Sequence, residues 1–226
     1  MKKQLYFPGD YICESEGYIK GYGTECYDNS IFSSYFGTVQ QINKLITVTP
    51  VFSFRYTPEV GDVVIGKVTQ IYNKKWKLEM NSKGDCTLGL GSINLPGVMQ
   101  RRKSEDDEIN MSKFFDINDL VVCEIQKVNK NGSAALHTRN DKYGRLSDGV
   151  LCIIRPDLIK PMKTRFASIK NVNIIWGANG YIWISCKDEN FKDLSSVSRI
   201  RSFIENANRD SLQIDPESLL SIFNSE

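Results

Sequence analysis

A chain of 226 residues is long enough for one or two cores and too short for a large multidomain machine. An apolar fraction of 41% with 25% charged residues is ordinary globular composition and argues against disorder. With 29 basic against 27 acidic residues the net charge is only +2, so any nucleic-acid binding must come from local patches rather than a basic whole-protein field.

The longest uninterrupted apolar stretch, Val150 to Ile154, is far shorter than the ~20 residues of a membrane span. Met1-Lys2-Lys3-Gln4-Leu5 has basic residues but no apolar segment behind them, so no secretory signal is expected. The six cysteines (Cys13, Cys26, Cys86, Cys123, Cys152, Cys186) contain no C-x-x-C pair, which argues against zinc ribbons and redox dithiols. Reduced thiols are expected. His137 is the single histidine, so a His-rich metal site is impossible and no cofactor is implied.

Glycines punctuate the first third: Gly9, Gly17, Gly21, Gly23 and Gly37 separate short aromatic and β-branched runs. They predict short strands and turns, with a hairpin of Thr38–Ile42 and Lys44–Thr49, and no helix before residue 100. Val63 to Ile71 reads as a strand in which Gly66 marks a bend or bulge. Asn73-Lys74-Lys75 is a turn. Trp76, Leu78 and Met80 then alternate with Lys77 and Glu79, the period of a half-buried strand. Cys86–Leu90, Leu120–Val128 and Ala134–Thr138 complete five strands, with a hairpin turn at Lys130-Asn131-Gly132, where Asn-Gly tolerates positive φ at both positions. Between the third and fourth strands, Ser104 followed by Glu105, Asp106, Asp107 and Glu108 predicts a capped helix start, with Ile109, Met111, Phe114 and Phe115 facing the core. Five strands with a helical insert in that place is the plan of an OB barrel.

The last third predicts strands at Gly149–Ile154, Val172–Trp176 and Tyr181–Cys186. One helix carries Ile200, Phe203, Ile204 and Ala207. A second starts at Asp215-Pro216 and carries Leu219, Leu220 and Phe223.

Four constellations bear on function. Lys74-Lys75-Trp76-Lys77 puts cations on a hairpin tip, suited to a nucleic-acid backbone or simply solvated, and Trp76 shares the core face with Leu78 and Met80. Arg101-Arg102-Lys103 is the densest basic run, suited to phosphate or to pairing with the acidic run behind it. His137-Thr138-Arg139 ends the fifth strand, where stacking, phosphate contact or a structural role is open. Gly177-Ala178-Asn179-Gly180 fits the G-x-x-G of KH domains, whose loop clamps nucleic-acid backbone, but also fits a plain turn and lacks a basic residue. A metal-dependent nuclease built on Glu105 to Glu108 is disfavoured, because adjacent carboxylates on one turn point apart.

Taken in order, Pro8-Gly9-Asp10, Gly37-Thr38-Val39, Gly61-Asp62-Val63-Val64-Ile65-Gly66, Lys75-Trp76-Lys77, Asn94-Leu95-Pro96-Gly97, Leu136-His137-Thr138-Arg139, Lys142-Tyr143-Gly144 and Gly180-Tyr181-Ile182-Trp183-Ile184 resemble the exosome cap family called ribosomal RNA-processing protein four. The resemblance covers nearly the whole chain and weakens in the last thirty or so residues. It implies a mainly β fold with an α+β C-terminal part: a small β-rich N-terminal domain at 1–53, a five-stranded S1-type OB barrel at 54–143, and a KH domain at 144–226. It further implies a non-catalytic cap on a ring of RNase-PH-like subunits, beside other cap proteins, guiding single-stranded RNA in the nucleus, nucleolus and cytoplasm. Lys74, Lys75, Arg101, Arg102, Lys103, His137 and Arg139 are the expected RNA contacts. Where the family often has Gly-His-Gly-Thr, this chain has Gly21-Tyr22-Gly23-Thr24, so the turn is retained and the histidine is not. The uncharged Gly177–Gly180 loop points to a KH domain that mainly packs against its neighbours. An independent OB/KH protein of translation or ribosome maturation is the alternative.

Overall fold

The computed structural model describes residues 4–52, 55–94, 105–186 and 194–220. The chain divides into two units, Met1–Ser53 and Phe54–Glu226.

Among the described residues the first unit holds seven short strands: β1 (Leu5–Tyr6), β2 (Tyr11–Glu14), β3 (Ile19–Lys20), β4 (Thr24–Tyr27), β5 (Ser30–Ser33), β6 (Gly37–Ile42) and β7 (Leu45–Pro50). They form two sheets, ordered β1-β6-β7-β3 and β2-β5-β4. The β6–β7 hairpin lies where the sequence placed it and turns at Asn43, whose φ of 55° suits asparagine. Ile31, Ile46 and Val48 form its small buried centre. In the Gly21–Thr24 turn the Thr24 hydroxyl donates to the Gly21 carbonyl (2.9 Å) and accepts from the Gly21 N–H (3.1 Å). Tyr22 points out of the turn and stacks on Tyr35 at 5.5 Å. The Thr24 side chain therefore closes the turn at Gly21.

The second unit begins with the barrel: β8 (Val63–Tyr72), β9 (Lys75–Glu79), β10 (Cys86–Ile93), α1 (Glu105–Ile109), α2 (Met111–Phe114), β11 (Leu120–Val128) and β12 (Ala134–Thr138). Strand order β12-β10-β9-β8-β11, with β11 also paired to β12, closes the sheet on itself. Parallel pairing of Cys86, Thr87 and Leu88 with Ala134, Ala135 and Leu136 makes the closure. Val64, Val68, Trp76, Leu78, Met80, Leu88, Val121, Cys123, Ile125 and Leu136 fill the interior. Trp76 is fully buried, as its alternation with lysines predicts, and its indole N–H donates to the Phe115 carbonyl at 2.9 Å.

Gly66 is no bulge. Its register with β11 is regular, and the irregularity in β8 falls between Val68 and Gln70. The glycine is needed for close approach: a Cβ there would meet Leu78 Cδ2 at 2.8 Å. At the β11–β12 turn only Gly132 takes positive φ, while Asn131 uses its side chain to accept the Ser133 N–H (3.1 Å).

The helical insert is broken in the middle rather than continuous. Asn110 leaves helical geometry at ψ 24°, and its side-chain amide donates to the Asp106 carbonyl at 2.7 Å. This break re-phases the segment. Met111 and Phe115 are buried and Phe114 partly so, but Ile109 is 80% exposed instead of facing the core.

The chain continues with β13 (Gly144–Leu146), β14 (Gly149–Ile153), β15 (Phe166–Ile169), β16 (Val172–Trp176), β17 (Tyr181–Cys186), α3 (Leu194–Arg209) and α4 (Pro216–Leu220). β13 pairs with β11, so the barrel sheet runs past residue 143 to Leu146. The remaining strands form an antiparallel sheet, β14-β17-β16-β15. Val197, Ile200, Ile204 and Ala207 of α3 bury one helical stripe against Ile174, Ile182 and Ile184 in a single core. Asp215 caps α4 by accepting the Ser218 N–H at 2.8 Å, while the Asp215 N–H donates to the Ser218 hydroxyl at 3.0 Å. Leu219 is buried, Leu220 is exposed, and Phe223 lies outside the described residues.

Candidate nucleic-acid interface

Strand register sets the outer face of the barrel. Trp76 and Leu78 point inward, so Lys75 and Lys77 point outward. Lys75 pairs with Tyr72 on β8 and with Gly89 on β10, which makes one cross-strand row of aromatic, cation and glycine. Tyr72 is 41% exposed. Lys77 pairs with Gln70 and Thr87, the next row along. Its ammonium lies 2.8 Å from Asp85, and that carboxylate raises its pKa above the ordinary lysine value. An exposed ring beside a cation on a flat β-surface is the arrangement that stacks bases and tracks phosphates.

The turn carrying Lys74 has φ of 44° at Asn73 and 62° at Lys74, the mirror-image turn geometry of tight hairpins. Lys74 reaches back to Glu108 at 2.5 Å, with most of its side chain still exposed. Lys75 stays exposed. Arg139 is exposed just beyond β12, whose Thr138 pairs with Ile93. Lys75 pairs with Gly89 on one side of β10, and Thr138, the residue before Arg139, pairs with Ile93 on the other, so both cations lie toward the same end of that strand. His137 faces another way. Its side chain is mostly buried, 3.8 Å from Glu124, and its ring lies 6.5 Å from Tyr143. Arg101, Arg102 and Lys103 lie outside the described residues.

The acidic run does not converge. Asp106 is exposed, Asp107 is buried, and Glu108 is held by Lys74. Among the described residues no three His, Cys, Asp or Glu side chains are grouped to hold a metal ion.

The Gly177–Gly180 loop is folded into the barrel. Asn179 is fully buried, its amide donating to the carbonyls of Ile65 (2.8 Å) and Met80 (3.1 Å) and accepting the Ile65 N–H (3.3 Å). The Ala178 N–H donates to the Val63 carbonyl at 2.8 Å, and Ala178 packs against the barrel core. Gly180 has φ +88°, and a Cβ there would meet the Ile154 carbonyl at 2.2 Å. The Asn179 amide and the Ala178 N–H are thus spent on the barrel, and the Gly177 and Gly180 N–H groups on carbonyls of the turn itself. Ile65, Val122, Tyr181 and Trp183 bury the rest of this seam, and the Tyr181 hydroxyl donates to Glu79 at 2.6 Å. Burial and that carboxylate push the Tyr181 phenol far above its ordinary range.

Tyr72 escaped sequence reasoning, although its place at the end of β8, next to a cationic turn, could have marked it. Lys142 and Tyr143 stand out in the sequence only as part of a family motif, and their meeting with Phe166 escaped it, because Phe166 comes from a separate segment.

Residues 55–127 match the family description "RRP4, S1 domain", residues 5–42 match "Exosome complex exonuclease RRP4 N-terminal region", and residues 149–190 match "KH domain". The chain is 41% identical over 199 residues to the exosome complex component rrp4 of Schizosaccharomyces pombe, covering 88% of this chain and 60% of that protein.

The chain belongs to the Rrp4 family.

Other Rrp4 proteins it resembles include that of Bos taurus, 42% identical over 193 residues (85% of this chain, 66% of that one). The Rrp4 of Methanothermobacter thermautotrophicus is 32% identical over 190 residues (81% and 57%). The matches thus span less than two thirds of the length of these Rrp4 relatives. The S1 and KH matches coincide with the closed barrel and with the sheet that buries α3.

Proposed function

We propose that this chain is a non-catalytic RNA-binding cap subunit of an exosome. It braces a ring of RNase-PH-like subunits, sits beside other cap proteins, and guides single-stranded RNA into the central channel in nucleus and cytoplasm. The row Tyr72–Lys75–Gly89, with Lys74 and Arg139 along the same rim, carries the RNA-binding part of this reading. Arg101, Arg102 and Lys103 are further candidate contacts from their sequence alone. The kinship to proteins named exosome complex components supports the assembly.

The bracing part draws support from the first unit. Ile19 and Ile42 both flank Leu45 in the strand register, and all three are exposed, as is neighbouring Tyr18. An apolar cluster of this kind suits burial against a partner. The near-neutral net charge fits RNA passage within an assembly better than stand-alone capture, which depends on counterion release from a strong basic excess.

Native mass spectrometry of the endogenously tagged chain at moderate salt tests this. Recovery at one copy with six ring subunits and two other caps is the expected result. A lone chain with useful RNA affinity would instead favour an independent OB/KH protein.

A further inference from the structure

The seam between barrel and KH sheet holds a second basic and aromatic cluster, apart from the barrel's outer row. Lys142 Nζ lies 5.7 Å from the centroid of the Phe166 ring, which stacks on Tyr143 at 6.1 Å and 24°. Tyr143 is fixed from behind, its hydroxyl donating to Glu124 at 2.7 Å. Two clefts flank this pair, and Lys142 and Phe166 line both. One, of about 360 Å³, opens between Asp62–Val63 and the segment that carries Lys163 and Arg165. The other, of about 460 Å³, opens beside Arg145. Both have the size of sites that take small ligands, roughly 300–1,000 Å³.

The charges in the first cleft are lopsided. Lys142, Lys163 and Arg165 face a single acid, Asp62, which already accepts the Tyr56 hydroxyl. Arg145, at the second cleft, is held by Asp119 at 2.9 Å. An aromatic ring bordered by three cations is chemistry for a base and its phosphates. The rings His137, Tyr143 and Phe166 follow one another at 6.5 and 6.1 Å, leading from β12 of the barrel to β15 of the KH sheet.

We infer that the Lys142–Phe166 seam is a second subsite for single-stranded RNA, in which Lys142, Lys163 and Arg165 take phosphates and Phe166 takes a base. The inference rests on the RNA-binding reading of the barrel and names a site that reading leaves out. The KH part then contributes to RNA binding through the mouth of its seam with the barrel and not through the buried Gly177–Gly180 loop.

The test uses the full chain with a short oligouridylate carrying 4-thiouridine. Crosslinked peptides are mapped, and affinity is measured against salt. Wild type is expected to crosslink both at Tyr72–Lys75 and at Tyr143 or Phe166. In Lys163→Glu with Arg165→Glu, the seam crosslink disappears while the barrel crosslink stays. The slope of log affinity against log salt falls by about 0.7 for each phosphate that the protein no longer neutralises. Phe166→Leu is expected to lose the seam crosslink with its salt slope unchanged. If the double reversal unfolds, Lys163→Glu alone, on an exposed residue, carries the same comparison. Barrel crosslinks with no seam crosslink and an unchanged slope overturn the subsite and leave the barrel reading intact. An absence of RNA binding anywhere overturns both. If an acidic peptide clears the seam crosslink while the barrel crosslink survives, the seam serves another ligand and the inference fails.

Discussion

The side chain of Asn179 pairs with both backbone groups of Ile65, 114 positions earlier: its amide donates to the Ile65 carbonyl at 2.8 Å and its oxygen accepts the Ile65 N–H at 3.3 Å. A residue of the KH turn thus acts as a piece of backbone beside a barrel strand. The turn that the G-x-x-G pattern offers to nucleic acid is, in this chain, an internal joint.

Asn179→Ala is expected to destabilise the second unit by about 2–4 kcal/mol, since it strands two carbonyls and one N–H in a buried place. Asn179→Asp should cost more, because a carboxylate cannot donate to Ile65 and Met80. Urea unfolding of the two variants checks the order. Wild-type stability in either would show that water replaces the amide.

Trp76→Phe keeps most of the buried volume but loses the indole N–H that satisfies the Phe115 carbonyl. A loss of about 1–3 kcal/mol is expected. Trp76→Ala also opens a cavity in the barrel and should cost about 3–5 kcal/mol. Thermal melts of the two variants separate the hydrogen bond from the packing.

Charge reversal at Lys75 is expected to weaken RNA binding and to lower the salt slope by about 0.7, the share of one neutralised phosphate. Lys74→Glu should act twice, removing a cation and facing Glu108 with a like charge. Tyr72→Ala should weaken binding by about 1–3 kcal/mol with the slope unchanged, as expected for stacking. Anisotropy titrations at several salt concentrations distinguish the three. An affinity and slope unaltered in Lys75→Glu would remove the row from the RNA path.

All six cysteines are free thiols. Cys26 is exposed and should be alkylated first in the native protein. Cys86, Cys123 and Cys152 are buried and should react only on unfolding. Burial pushes the Cys152 thiol up to about 11, so it stays protonated and unreactive at neutral pH. Mass-resolved alkylation over time reads the order, and early labelling of Cys152 would contradict the packing of α3 on β14.

The carboxylate of Asp215 is held below its ordinary pKa by Lys160, at 2.5 Å, and by the Ser218 N–H. A depressed folded-state pKa means that this stabilisation is complete above the unfolded value, near ~4, and is lost as pH falls through the lower folded value. Asp215→Asn should therefore flatten the fall in melting temperature on acidification. An identical fall in both proteins would assign the acid sensitivity elsewhere.

Much of the architecture is readable because it is local. The period-two run Trp76, Leu78, Met80 fixes which side of β9 is core, and the 3.6 spacing of Ile200, Ile204 and Ala207 fixes the buried stripe of α3. Asp215-Pro216 marks a helix start through capping chemistry. Ile109 departs from its expected place because its environment depends on the break at Asn110, where a side-chain hydrogen bond competes with the helix. Strands β13 and β15 escape a local reading because three or four residues of weak pattern become strands only when a neighbour such as β11 or β16 supplies the ladder.

The sequence by itself settled composition, family, the five barrel strands and the cations of the β8–β9 turn, since periodicity, turn chemistry and motif order are written in neighbouring residues. Only the tertiary structure decided that Tyr72 stands beside Lys75, that His137 turns toward Glu124, and that Lys142 meets Phe166 at the seam. It also decided that Asn179 is buried against Ile65. These facts depend on strand register and on the packing of segments far apart in the chain, and no local pattern of residues encodes which distant backbone groups will need partners once water is excluded.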